Sequence, residues 1–202
     1  MSSETSRIEA FSDGVFAIAI TLLILEIKIP PTGQASLARQ LLQQWPSYFA
    51  FLLSFFFIGI MWINHHRLFT HIRRANNGLL FLNLLLLLGI CVVPFPTAVL
   101  AVHVSGPGAR TAAALYNGVY VVMAIFFNLL WRYAVSRNLL DSASSRSAAA
   151  ISRQYMFGPI IYMICFALVW ISVPLSLGLN AALAVFFAIP AHRATGTHLS
   201  GN

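Results

Sequence analysis

The sequence predicts an all-α, polytopic membrane protein with six transmembrane helices per subunit and no extramembrane domain. Two observations carry that prediction. The 202 residues are 59% hydrophobic and 8% charged, against roughly 25% charged in soluble domains. So few charges cannot clothe a water-facing surface, whereas side chains that face lipid are apolar by requirement. The apolar residues also gather into runs of about 17 to 25, the length that crosses roughly 30 Å of hydrocarbon.

The first run spans residues 8–29. Its core, Val15 to Leu25, has the length of a signal-peptide core, but Glu26-Ile27-Lys28 and Pro30-Pro31 follow it where a small-residue cleavage site would stand. It therefore reads as a retained span. The second run covers 46–64 and the third 78–102. The third contains Val93-Pro94-Phe95-Pro96-Thr97, two prolines that free backbone carbonyls and bend a helix. The fourth covers 112–131. The stretch from 155 to 189 is about twice the length of one span. Pro174 and Gly178 near its middle predict a tight turn between spans at 155–173 and 176–189. The polar stretches 30–44 and 136–153 are too short for a folded domain, so any activity resides in the helices. Cys91 and Cys165 lie inside apolar runs and read as small buried hydrophobes, not as a disulfide or zinc site.

The formal net charge of +7 does not point to nucleic acid, because the cations sit in short gaps and form no single basic face. Lipid headgroups can meet them there. With six spans, Arg7, Arg67, Arg73, Arg74, Arg132, Arg137, Arg146, Arg153 and Arg193 share one side; Lys28, Arg39 and Arg110 share the other. That bias places both termini in the cytoplasm.

Enzymatic chemistry finds few residues to carry it. The chain has five acidic residues, three of which (Glu4, Glu26 and Asp141) lie near predicted helix ends. It has no glycine-rich phosphate loop and no nucleophile–base pair at useful spacing. His65, His66 and His71 suggest a metal, but adjacent helical side chains diverge by about 100°. No Cys, Asp or Glu lies nearby, and the i, i+4 spacing of a ligand pair is absent. They read as hydrogen-bonding groups, and no cofactor is expected. The two halves of the chain show no repeated motif, which weighs against an inverted-repeat transporter.

Ionisable groups in a span are costly and are usually paired or functional, and the richest cluster opens the first helix: Arg7-Ile8-Glu9-Ala10-Phe11-Ser12-Asp13-Gly14. At about 100° per residue, Asp13 shares a face with Glu9, Ala17, Ile20 and Ile24, while Ile18 lies about 140° away with Phe11, Gly14, Thr21, Leu22 and Leu25. One side is a polar anchor and the other a smooth stripe. Asp13 is read as a clasp to a neighbouring helix in preference to a group in an ion path. Its candidate partners are Trp62, Asn64, His65, His66, Arg67, Asn76, Asn77 and Asn83.

Arg7-x-x-x-Phe11-Ser12-Asp13 resembles the R-x-x-x-F-S-D pattern of the transmembrane protein 175 potassium channels in their prokaryotic single-repeat form. The likeness continues through Ala17-Ile18-Ala19-Ile20-Thr21-Leu22-Leu23, Trp62-x-x-His65-His66-Arg67 and Pro94-Phe95-Pro96-Thr97, in order, over the first half of the chain. The second half matches only as apolar helices. The resemblance implies a homotetramer in a prokaryotic inner membrane that conducts monovalent cations, K⁺ above all, through a pore lined by helix one. Such channels, like this sequence, lack a T-V-G-Y-G filter and narrow the pore with apolar rings. It implies the main constriction at Ile18, its continuation at Leu22 and Leu25, and a hydroxyl ring at Thr21. It further implies an inter-helix network of Arg7, Phe11, Ser12 and Asp13 with Trp62, His65, His66 and Asn83. No span carries an Arg every third residue, so no voltage sensor is expected. The alternative reading is a secondary transporter or proton-coupled exchanger using Asp13.

Overall fold

The structure, a computed structural model, describes residues 5–28 and 36–188. Glu4, Ile29, Pro30, Pro31, Ile189 and Arg193, on which parts of the sequence reading rest, lie outside the described residues. Eight α-helices follow in order among the described residues: α1 Ser6–Leu22, continued by a 3₁₀ turn at Leu23–Glu26, α2 Leu37–Gln43, α3 Trp45–Thr70, α4 Asn77–Val92, α5 Pro94–His103, α6 Ala109–Ser136, α7 Ser142–Leu168 and α8 Val173–Ala188. No β-strand occurs among them; one isolated antiparallel bridge joins Ile72 to Leu140. Five segments are long and apolar enough to cross a membrane: Ser6–Glu26, Trp45–Thr70, Asn77–His103, Ala109–Ser136 and Ala148–Leu168. A shorter apolar helix occupies Val173–Val185. The chain is an all-α, multi-pass membrane protein.

The chain departs from the sequence reading at four points. Within the polar stretch 30–44, Leu37–Gln43 forms the short helix α2. The polar stretch 136–153 is mostly helix, because Asp141 caps α7 by accepting from the amides of Ala143 and Ser144, the geometry that starts a helix wherever such a cap precedes good helix formers. The turn before α8 falls at Val169–Ser172, not around Pro174 and Gly178. Pro174 sits in the first turn of α8, where its missing N–H costs nothing, and Gly178 lies within that helix. Cys91 is exposed on α4, while Cys165 is buried; an apolar run surrounded by lipid has an outer face as well as an inner one.

The two prolines of the third span separate α4 from α5. Pro94 cannot bond back to Ile90, and the Val93 amide takes that carbonyl instead at 3.2 Å. The Thr97 hydroxyl, one turn on, donates to the Val93 carbonyl at 2.8 Å. Thr97 also meets Ser54 of α3 at 2.7 Å, and Ser54 meets Tyr116 of α6 at 3.1 Å, all three being buried. Three helices are thus pinned by hydroxyls in a region without water to satisfy them. A second buried cluster ties α6, α7 and α8. Asn180 donates to Asn117 at 2.9 Å, Asn117 to Ser176 at 3.3 Å, and Ser176 to the Cys165 carbonyl at 2.7 Å. α4 lies close against α6 because Gly78 and Gly89, three turns apart, present no side chain; a Cβ at Gly78 would collide with the Tyr133 ring, and one at Gly89 would come within 2.6 Å of Met123.

Pro159 lies inside α7. A proline cannot donate to the carbonyl four residues back, here that of Tyr155, and Asn128 of α6 donates its side-chain amide to that oxygen at 2.7 Å. Asn128→Leu is therefore expected to cost about 1–2 kcal/mol by orphaning that carbonyl. In a Pro159→Ala background, where the helix amide returns, the same substitution should cost much less. Thermal unfolding of the four proteins in detergent measures the coupling, and equal costs in both backgrounds would refute it.

At the end of the bundle that carries the 71–76 loop, that loop is tied to the one between α6 and α7. The amides of Arg73 and Arg74 donate to the Leu139 carbonyl, and that of Asp141 to the His71 carbonyl. The Ser144 hydroxyl donates to Asp141 at 2.7 Å, so the His71 ring donates through Nδ1 to Ser144 at 2.9 Å. The amide and hydroxyl of Ser144 hold the Asp141 carboxyl below the usual carboxylate range.

Candidate functional site

α1 has two unlike faces. Ile8, Ser12, Phe16, Ala19 and, beyond the helix, Leu23 are buried. Their spacing of three and four residues makes one stripe, which packs on α3 and α4. The buried polar residue at the centre of this stripe is Ser12, one position before Asp13. Ser12 begins a run of hydrogen bonds whose every donor can be assigned. Its hydroxyl donates to the Ile8 carbonyl at 2.8 Å. Asn83 of α4 donates its amide to the Ser12 oxygen at 3.0 Å. His65 of α3 lies with Nε2 2.8 Å from the Asn83 carbonyl oxygen. That oxygen can only accept, so the His65 proton is on Nε2. Ser12, His65 and Asn83 are all buried, and the imidazole is held between Phe16 and Phe69, with ring centroids 5.4 and 4.6 Å away.

Asp13 is exposed at the edge of the buried stripe, where the Trp62 indole donates to its carboxylate at 2.8 Å. His66, also exposed, stacks on the Trp62 ring at 6.5 Å and does not enter the buried run. Nor do Arg7 and Phe11. Both line an open cavity of about 570 Å³ between α1 and α4 with Ile8, Leu80, Asn83 and Leu84. Of the predicted network, the fold joins Ser12 to His65 and Asn83, joins Asp13 to Trp62, and leaves Arg7, Phe11 and His66 beside them. Among the described residues no group of three or more His, Cys, Asp or Glu side chains is placed to hold a metal ion.

The opposite face of α1 is left largely open by the other described residues. Ile18 and Leu25 are each 61% exposed and Leu22 44%. Leu22 and Leu25 stay in line because the helix tightens to 3₁₀ geometry at Leu23, in which side chains three apart eclipse. Thr21 donates its hydroxyl to the Ile18 carbonyl at 2.9 Å. This turns its oxygen's proton inward and leaves lone pairs outward. At the end of the 3₁₀ turn, Lys28 donates to the Leu25 carbonyl at 2.8 Å and lies 3.7 Å from Glu26. The cation meets the negative end of the helix there. A rigid apolar ridge, braced from behind by a satisfied polar run, can line a narrow dry passage once several copies face one another. It offers no nucleophile and no general base.

Similarities to known proteins include α1 and, for individual relatives, extend over nearly the whole chain. The profile of a family described as endosomal/lysosomal potassium channel TMEM175 matches residues 7–94. A potassium channel from Chamaesiphon minutus is 50% identical over 192 residues, 93% of this chain and 95% of its own length. A potassium channel from Streptomyces collinus is 44% identical over 189 residues, 92% of each. The crystal structure of a lysosomal potassium-selective channel TMEM175 homolog from Chamaesiphon minutus superposes with a TM-score of 0.84 at 49% identity, over 92% of this chain and 96% of that one.

Proposed function

The chain belongs to the TMEM175 potassium-channel family, and from that premise we propose that it is a K⁺-conducting channel, four copies of which surround a pore lined by α1. The observation that carries this reading is the exposed apolar ridge of Ile18, Leu22 and Leu25, set on a helix whose other face is locked by Ser12, Asn83 and His65. A lipid-facing helix has no need of so rigid a mount, whereas a constriction has, because dewetting and size exclusion depend on the pore radius to within a fraction of an ångström. In this reading Ile18 forms the narrowest ring, Leu22 and Leu25 extend it, and the Thr21 oxygens supply the only polar ring between them. Asp13 and Trp62 sit at the wide mouth and brace α1 against α3, with Arg7, Phe11 and His66 along the contact with the neighbouring copy. Both termini face the cytoplasm of a prokaryotic inner membrane, the side to which the Arg-rich connections point. The permeant ion is the only small partner required.

The test is K⁺ flux through the purified protein in liposomes under an outward K⁺ gradient. Flux that proceeds without any coupled gradient and does not saturate supports a channel. Flux that saturates and follows an imposed proton gradient would instead identify an exchanger working through Asp13.

A further inference from the structure

A second cavity, of about 150 Å³, lies away from α1 at the proline bend of α7, lined by Met61, Asn64, Phe127, Gly158, Tyr162 and Leu183 among others. Its position is within the spanning segments of α3, α6 and α7. Phe157, which also lines it, is half exposed on the outer surface, so the cavity opens toward hydrocarbon. Polar groups line its wall at Asn64, Asn128, Tyr155 and Tyr162; the Asn128 amide is taken by the Tyr155 carbonyl, whereas the Asn64 amide and the Tyr162 hydroxyl have no hydrogen-bond partner among the described residues.

From this arrangement we infer that the cavity is a binding site for a single-ring aromatic molecule carrying one hydrogen-bonding group, of the phenol class. Volume sets the size, since an apolar cavity of about 150 Å³ holds one benzene ring. The walls set the shape, because Phe127 and the tyrosines offer ring faces and edges to a flat ligand. The free amide of Asn64 and hydroxyl of Tyr162 set the polar group, since polar atoms facing an apolar space without a partner are unfavourable until something hydrogen-bonds to them. The tail of a lipid chain fills volume but leaves Asn64 and Tyr162 unanswered. Entry is from the bilayer, into which such molecules partition.

The experiment is fluorine NMR of 4-fluorophenol and of fluorobenzene, each titrated into the purified protein in nanodiscs and into empty nanodiscs. The protein is expected to bind 4-fluorophenol saturably. Gly158→Leu should weaken that binding about tenfold or more while the protein unfolds at an unchanged temperature, because a side chain added at Gly158 grows into open space with nothing within 4 Å of its Cβ. Asn64→Leu, which keeps the cavity, should weaken 4-fluorophenol toward fluorobenzene. The inference is overturned by any of three results: no saturable binding to the wild type, equal binding in the wild type and Gly158→Leu, or fluorobenzene binding as tightly as 4-fluorophenol. K⁺ flux plays no part in these readings, so they stand or fall apart from the channel reading.

Discussion

Replacing Ile18 by Asn is expected to raise K⁺ flux through reconstituted protein by roughly tenfold or more. The reasoning starts from the exposure of Ile18 on the free face of α1. If four such side chains meet at an axis, an ion crossing between them must shed water and finds no oxygen in exchange. An asparagine of similar bulk offers an amide oxygen and keeps water in the ring. Each 1.4 kcal/mol or so removed from the barrier speeds passage about tenfold, and a ring of four amides readily exceeds that. Selectivity for K⁺ over Na⁺ should fall together with the rise, since a wetted ring discriminates less by size. Leu25→Asn, at the outer end of the same ridge, should produce the smaller effect of a wider station. Unchanged currents in the Ile18 variant would remove this residue from the pore and, with it, the assignment of α1 as the lining helix.

The second large effect is on assembly of the fold. Asn83→Leu is expected to destabilise the protein by about 1–3 kcal/mol, read as a clear drop in the unfolding temperature in detergent and a loss of the properly folded fraction. Asn83 is the only bridge between Ser12 and His65 in the run described above, and its loss leaves the buried Nε2 proton of His65 without an acceptor. The coupling across a hydrogen bond between membrane helices, as double-mutant cycles measure it, averages well under this figure, about 0.6 kcal/mol, because the separated helices find other partners. The prediction is therefore specific to removing the middle of the run. Adding Ser12→Ala to Asn83→Leu should cost little beyond Asn83→Leu alone, since the two act on one connection. Full additivity of the two substitutions would show that the run is not a connected unit.

The class of fold was legible from composition and run length because a bilayer imposes its thickness on every chain that crosses it. The bend in the third span was legible at Pro94 and Pro96, whose chemistry is local. The second half was less legible. Residues 136–153 look like a loop by polarity, yet Asp141 followed by Ser and Ala is also a helix start. The Asp141 cap together with the packing of α7 on α6, where Trp131 donates to Ser152, decides between them. Pro159 announces that the Tyr155 carbonyl loses its partner, but nothing in the sequence names Asn128 as the replacement, thirty-one positions earlier. The same holds for Ser54, Thr97 and Tyr116, brought together from three helices, and for Asn117 of α6 with Ser176 and Asn180 of α8, polar residues that nothing in the sequence pairs across helices. In the candidate site, the helical wheel separated the smooth stripe of α1 from a polar side. It centred that side on Asp13, whereas packing buries Ser12 and leaves Asp13 at the rim. A wheel gives relative angles and no absolute orientation, and a shift of one residue is what it leaves undetermined. The grouping of Ser12 with His65 and Asn83 came from the motif resemblance alone.

α1 has its principal neighbours in α3 and α4, while α7 packs chiefly on α6 and α8. The molecule thereby has two sides of one bundle, joined where α4 packs on α6 and α3 on α8. Exchange of backbone hydrogens for deuterium should reveal them as distinct cooperative units, with α7 and α8 opening at lower free energy than the pair of helices that cradles α1. The same division tells how such a chain can diversify. Substitutions in the last third can alter its lipid-facing perimeter and its pocket at Pro159 without touching Ser12, His65 and Asn83, which lie within the matched region at residues 7–94.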